Sequence, residues 1–334
     1  MHAIRLHRFG PPENLRHERV PTPVPGPGQL RVRVAGAGVH LLDTALRSGA
    51  TLGPYPLPEL PVVPGREVAG VVDELGEGVP PQWRGRLVAA HLGDRLGGYA
   101  EYAVADPERV HPVPAGLSVP EALAMVGTGR TALGVLRFAE PGPGDLVLVL
   151  AAAGGLGSLL VRYARHRGAT VVGAAGGRAK VLAVRDLGAD LAVDYREPDW
   201  EQRVRRRFGG RPVTLLYEGV GGQLARTALE LLAPGGTHLS YGHAANPLDP
   251  GQGAVLSEEE QGRRGVRSRT VVGPAMVERL GGPEGVRAAQ AEALALAAEG
   301  TWRPLVQLFP LAEAATAHRA LEGRATIGKV VLTP

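Results

Sequence analysis

Two kinds of hydrophobic patterning divide the chain. After residue 122, short apolar runs alternate with stretches of helical period. The runs predict strands at 146–150, 170–173, 191–194, 213–217, 238–241 and 270–272. The stretches between them predict helices at 156–167, 178–187, 200–208 and 222–232. Apolar runs with no polar face, each followed by a helix, predict a parallel sheet covered on both sides. Before residue 122, Val-rich alternation (29–35, 68–72) is broken by Pro and Gly turns such as 21–28, which predicts a β-rich domain. The Ala-rich stretch 285–299 reads as a helix, and 327–332 as a strand returning to the first domain. The expected fold is α/β. A β-rich domain spans 1–122 and is completed by 274–334, and a Rossmann doubly wound parallel sheet spans 123–273.

The turn after the first of these strands carries the chemistry. Ala152-x-Gly154-x-x-Gly157 follows a strand and opens a helix, a variant of the dinucleotide fingerprint. The first small residue permits the tight turn, Gly154 lets backbone approach a diphosphate, and Gly157 lets the helix pack on the strand. Backbone N–H groups over Ala153, Gly154, Gly155, Leu156 and Gly157 would hold the diphosphate at the helix start. At the end of the second strand an NAD enzyme places an acid. This chain has 173–177, Gly-Ala-Ala-Gly-Gly, followed by Arg178 and Lys180. Cations in a first helical turn oppose the helix dipole at a cost of about 0.3–1 kcal/mol. A bound 2′-phosphate would reverse that sign, so the expected cofactor is NADPH.

Composition narrows the chemistry further. At 44% hydrophobic and 21% charged residues, the 334-residue chain is ordinary globular material with room for two domains. No apolar run approaches the ~20 residues of a membrane span, and residues 1–8 lack a signal peptide's apolar block, so a cytoplasmic location is expected. The absence of cysteine excludes disulfides and thiolate chemistry. The net charge is +4, and all of the 37 cationic side chains except Lys180 and Lys329 are Arg. The densest basic stretch, 203–207, reads as the solvated end of a helix. No aromatic residues interleave it, which argues against nucleic-acid binding.

Several segments resemble the medium-chain dehydrogenases/reductases of the zinc-independent quinone oxidoreductase (zeta-crystallin-like) type. They are 37–44 with 47–49, Pro64 to Val72, Gly129-Arg130-Thr131-Ala132, 151–157, Asp194-Tyr195-Arg196-Glu197 and 323–332. The resemblance implies a GroES-like β domain built from both chain ends, a Rossmann domain between them, an active cleft at their junction and a homodimer. It also implies that Lys180 and Tyr195 hold the 2′-phosphate with Gly176 and Gly177 nearby, and that Thr131 approaches the nicotinamide half. Gly219, Gly242 and His243 would line the cofactor cleft. Lys329, in the family's closing Gly-Lys-Val-Val-Leu segment, is counted with the cofactor residues.

Zinc-dependent relatives use a Cys, the His of a Gly-His-Glu segment and a further Cys or Asp. Here the segment reads Gly65-Arg66-Glu67, and an Arg cannot ligate zinc, so no metal is expected. Where the quinone oxidoreductase pattern has Asn, this chain has His40. It is read either as a proton donor to the substrate oxygen or as a neutral spacer that hydrogen-bonds the cofactor. Tyr55 is a candidate to border the substrate pocket, and Asp43 is read as the cap of a helix starting at Thr44. The reaction expected is hydride transfer from NADPH to a quinone. An enone or enoyl reductase is the alternative, and a low-turnover NADPH-binding protein with a nucleic-acid-binding role is a third reading.

Overall fold

A computed structural model of the chain describes residues 1–51, 56–93, 95–244 and 255–334. They form two compact units, residues 1–129 with 290–334 and residues 130–289.

The first unit opens with an antiparallel ribbon, β1 (His2–Leu6) against β2 (Leu15–Arg19). β3 (Leu30–Val39) follows, then α1 (Leu41–Ser48), β4 (Glu67–Leu75), β5 (Leu87–His91), β6 (Tyr102–Ala105), β7 (Val110–Pro112) and α2 (Val119–Ala124). β3 begins with strict alternation. Leu30, Val32 and Val34 are buried, while Arg31 points outward to pair with Asp73 of β4. α1 starts three residues earlier than the capping role given to Asp43 requires. His40 is the N-cap, and Asp43, at the third helical position, accepts a hydrogen bond from the His40 N–H at 2.8 Å. Gly49 (φ 90°) closes the helix in the left-handed conformation that glycine tolerates.

The second unit begins with α3 (Arg130–Leu136) and alternates strictly thereafter: β8 (Leu146–Leu150), α4 (Gly155–His166), β9 (Thr170–Ala175), α5 (Arg178–Asp186), β10 (Leu191–Asp194), α6 (Trp200–Arg207), β11 (Val213–Glu218), α7 (Gly222–Leu229), β12 (Leu232–Ser240), α8 (Glu258–Arg264), β13 (Arg267–Thr270) and α9 (Pro274–Leu280). The six strands form one all-parallel sheet in the order β10-β9-β8-β11-β12-β13, doubly wound with its reversal between β8 and β11. All five residues of β8 are fully buried, as a strand covered on both faces requires. β13 lies at 267–270 and not at 270–272. It is a polar edge strand with only Ser268 buried, so an apolar run does not mark it.

α10 (Gly282–Ala298) carries the chain back to the first unit, which ends with β14 (Val306–Pro310), α11 (Ala314–Glu322) and β15 (Lys329–Thr333). Its sheet has the order β14-β15-β3-β4-β5-β7, with β6 also pairing with β3. Both unit boundaries fall beyond the changes of pattern near 122 and 273. α2 packs on β3 and β4 of the first unit. α9 packs on α3 of the second, its Met276 filling the space beside Gly134.

Candidate functional site

In the second unit the carboxyl ends of the parallel strands gather the residues expected to hold a dinucleotide. Ala151, at the end of β8, has φ 50°, and Gly154 is the N-cap of α4. A Cβ at Gly157 would collide with the Ala151 carbonyl, so α4 reaches this close to β8 only with glycine there. Ala153, Gly155 and Leu156 complete the turn. β9 ends at Ala175 without an acid, and Gly177 (φ 97°) is the N-cap of α5, whose first turn holds no acid but does hold Arg178 and Lys180. The Tyr195 ring lies over Gly176, and the Arg196 guanidinium lies over Gly177, where any Cβ would displace it. Asp194 ties this corner together, its Oδ2 accepting from the Gly177 N–H at 2.9 Å and pairing with Arg196 at 3.2 Å. Burial alone would raise the Asp194 carboxyl, but the hydrogen bonds from Arg196 and from the Gly177 N–H, with the Arg196 charge, together outweigh it and hold the carboxyl below its ordinary value. Gly219 and Gly242 meet at the ends of β11 and β12, where a Cβ on Gly219 would strike the Tyr241 ring. The Tyr241 hydroxyl in turn donates to the Leu150 carbonyl at 3.2 Å, tying the end of β12 to the end of β8. His243 follows, half-buried. Thr131 stands apart from these strand ends in sequence, on α3. Two glycines that no side chain could replace and a rim of cations suit a phosphate-bearing dinucleotide.

In the first unit the strands bring together side chains far apart in sequence. β15 and β4 flank β3, and Lys329 and Glu67 meet over Gly38, where a Cβ would displace the Glu67 carboxylate. Lys329 Nζ lies 2.9 Å from Glu67 Oε2, and His40 Nε2 lies 2.9 Å from Glu67 Oε1. Lys329 Nζ and His40 Nε2 are also 2.9 Å apart. Gly127, in a π-helical turn spanning Met125–Gly129, covers the carboxylate so closely that it too has no room for a Cβ. Glu67 is wholly buried, Lys329 is 4% exposed and the His40 side chain is 25% exposed.

Asp43 backs His40 at 3.4 Å from Nδ1 and has its own partners, Arg66 Nε at 3.6 Å and the Tyr99 hydroxyl, which donates at 3.2 Å. The same hydroxyl lies 3.1 Å from His318 Nε2 on α11. Burial would raise both carboxyls. The hydrogen bond and charge of His40 hold Asp43 down at about 2, and the charges of His40 and Lys329 hold Glu67 lower still. Burial, and after it the Lys329 ammonium, pull the His40 imidazole down, but the Glu67 and Asp43 carboxylates together outweigh them and leave it raised. Burial lowers His318 to about 4 and raises the Tyr99 phenol well above its usual range.

Residues 26–115 match the family described as the alcohol dehydrogenase GroES-like domain, and residues 187–332 match the zinc-binding dehydrogenase family. A 2-haloacrylate reductase from a Burkholderia species is 35% identical, over 99% of this chain and 98% of that protein. A quinone oxidoreductase from Pseudomonas aeruginosa is 32% identical, over 99% of each. The solved structure of Escherichia coli quinone oxidoreductase complexed with NADPH superposes with a TM-score of 0.84 at 29% identity, covering 100% of both chains. The chain belongs to the quinone oxidoreductase family of medium-chain dehydrogenases/reductases.

Zinc, named in one family description, does not fit the residues of this quinone oxidoreductase relative. It has no cysteine, and among the described residues no group of three His, Asp or Glu could hold a metal. The Glu67 carboxylate already has the Lys329 ammonium and the His40 imidazole against it, each at 2.9 Å. The Lys329 side chain, expected among the cofactor residues, meets the Glu67 and His40 side chains of the first unit. Tyr55 falls outside the described residues. The basic stretch on α6 is largely spoken for: Arg203 pairs with Glu197, Arg206 with Asp199, and Arg205 donates to the Glu230 carbonyl. Among the described residues, no helix is long and apolar enough to cross a membrane.

Glu67, Arg196 and Tyr99 are absent from the residues singled out by sequence. Glu67 lies in the Gly65-Arg66-Glu67 segment, beside the position where zinc-dependent relatives carry His. Two members of the cluster were signalled by sequence: His40, where the family pattern has Asn, and Lys329, one of two lysines in a chain that otherwise uses Arg.

Proposed function

We propose that this chain is a metal-free, NADPH-dependent reductase that passes hydride to an electron-poor acceptor, a quinone or an activated alkene, and that it works as a homodimer in the cytoplasm. The observation that carries the reading is the corner at β9 and β10. β9 ends with no acid for ribose hydroxyls, Asp194 of β10 is engaged by the Gly177 N–H and Arg196, and Arg178, Lys180, Tyr195 and Arg196 gather around Gly176 and Gly177. NADPH, when bound, supplies the hydride from its reduced nicotinamide ring. The residues of the second unit bind and orient it. Backbone N–H groups from Ala153 to Gly157 receive the diphosphate, and the basic corner receives the 2′-phosphate.

The alkene reading has an observation of its own in His40 with Lys329 and Glu67. Reduction of an activated C=C bond leaves an enolate that must gain a proton, and this cluster is a proton source beside a buried counter-charge. A quinone's reduced oxygens need less help. The experiment is NADPH oxidation with a benzoquinone, a 2-enone and a 2-haloacrylate in parallel, repeated with NADH. Equal rates with NADH would remove the 2′-phosphate assignment, and no oxidation with any of the three acceptors would remove the reductase reading. Sedimentation of the purified protein tests the dimer.

A further inference from the structure

We infer that Glu218 is a positioning residue for the cofactor: its buried carboxylate holds the 219–221 turn in the shape that receives the nicotinamide half of the dinucleotide. The inference rests on the NADPH reading and deepens it.

Glu218 ends β11, where the pattern of the sheet calls for an apolar residue. The sheet is covered on both faces, and Glu218 has no exposed surface. A carboxylate is buried at a cost unless donors or cations meet its oxygens. Here the chain's own next turn meets them. Oε1 accepts from the Gly221 N–H at 2.6 Å and from the Val220 N–H. Oε2 accepts from the Ser240 hydroxyl at 3.3 Å and faces His238 Nε2 at 3.9 Å. His238 is held in turn by Ser268, whose Oγ lies 2.8 Å from Nδ1. The carboxylate therefore grips the turn before α7, on the side where the helix dipole favours a negative charge. Side chains of β12 and β13 fix the carboxylate from the other side.

The turn has little else to define it. It is Gly219-Val220-Gly221 followed by Gly222, and Gly221 (φ 76°) and Gly222 (φ 62°) pass through the left-handed region. Glycines have many conformations open to them, so such a stretch keeps one shape only when it is tethered. One carboxylate oxygen fixes two successive N–H groups. Main chain does the rest: the Glu218 carbonyl accepts from the Tyr241 N–H at 2.8 Å, and the Gly219 carbonyl from the Ala244 N–H at 3.1 Å.

The sheet order says what the turn is for. The fingerprint turn follows β8, and the basic corner at β9 and β10 lies to one side of it. The turn after β11 lies to the other side, across the reversal of the sheet. A dinucleotide with its diphosphate at α4 and its 2′-phosphate at the basic corner runs its other half over the ends of β11 and β12. Glu218 is buried beneath that half and touches no ligand. It acts through the backbone of the turn.

The test is calorimetric titration of the wild type, E218Q and S240A with NADPH and with 2′,5′-ADP. The second ligand carries the adenosine half and the 2′-phosphate and has no nicotinamide. Hydrogen bonds to an ionised acceptor are roughly twice as strong as neutral ones. E218Q should therefore weaken NADPH binding about 10-fold and S240A about 3-fold, and both variants should bind 2′,5′-ADP as the wild type does. Equal weakening of the two ligands by E218Q would make Glu218 a support of the whole second unit and refute the inference. An unchanged NADPH affinity would refute it too. S240A leaves the carboxylate in place, so its split between the two ligands decides the matter if E218Q does not fold. A second readout needs no ligand. In hydrogen exchange, the Val220 and Gly221 amides of E218Q should exchange faster than in the wild type, with those of Gly154 to Gly157 unaltered; unaltered Val220 and Gly221 amides would show that the carboxylate does not hold the turn. Wild-type protein that binds neither ligand overturns the NADPH reading itself, whereas wild type that binds both, with variants that show no split, overturns only the role of Glu218.

Discussion

His318 makes the first unit's stability depend on pH in a window that can be worked out in advance. The residue lies on α11 with no exposed surface. Because the Tyr99 hydroxyl donates to Asp43, its oxygen takes the His318 Nε2–H, and Nδ1 is left buried with no hydrogen-bond partner. Protonation would put a charge on that atom, and burial accordingly lowers His318 from 6.5 to about 4. The unfolded chain therefore binds a proton between pH 6.5 and 4 that the folded chain refuses. Stability must fall as pH falls through this window. A shift of this size amounts to about 3 kcal/mol at 1.36 kcal/mol per unit. His40 works on the other side of 6.5. Its raised value adds stability at lower pH that is lost as pH rises above neutrality. The depressed Asp43 acts only below about 4. The assay is urea unfolding by tryptophan fluorescence from pH 4 to 7, wild type against His318→Gln, whose amide can still donate to Tyr99. The wild type should lose about 3 kcal/mol more than the variant across the window. Parallel curves would show that His318 takes up its proton at the ordinary pH, and the burial argument would fail.

Three further outcomes follow from the geometry. Gly127→Ala should drive the Glu67 carboxylate from its place and cost about 3–5 kcal/mol, the toll of breaking a buried pair, read as a lowered Tm in thermal denaturation; an unchanged Tm would mean the π-helical turn gives way freely. Lys180→Ala should weaken NADPH binding by about 10-fold or more, the worth of a hydrogen bond to a charged group, and leave NADH binding unchanged in fluorescence titrations. Prolonged EDTA treatment followed by gel filtration should leave NADPH oxidation intact, because the donor set offers no metal site; activity that falls and returns with zinc would contradict this.

The parallel sheet was legible because strands covered on both faces have no polar side to hide behind. The run at 146–150 coincides with β8 residue for residue, and 191–194 with β10. β13 was displaced because an edge strand reading Arg-Ser-Arg-Thr carries no apolar signal. Much of the candidate cofactor corner could be read because its residues lie within about 50 residues of chain, with the fingerprint ahead of it. Arg196 escaped notice because a surface Arg two residues from an Asp looks like any other ion pair until Gly177 is seen beneath it. The His40 cluster was the least legible. Residues 40, 67 and 329 become neighbours only through the order β15-β3-β4, and strand order is not written in local periodicity.

That strand order also sets a sequence of events during synthesis. β3 and β4 leave the ribosome early, but β15, which supplies Lys329, is translated only after the whole second unit. Until then Glu67 has no ammonium to meet, and a carboxylate cannot be sealed beneath Gly127 without one. The Glu67 site is therefore completed only once β15 joins β3, whereas the second unit is one contiguous stretch of chain. A nascent chain stalled before Lys329 would have a finished nucleotide-binding half and an unsealed β half.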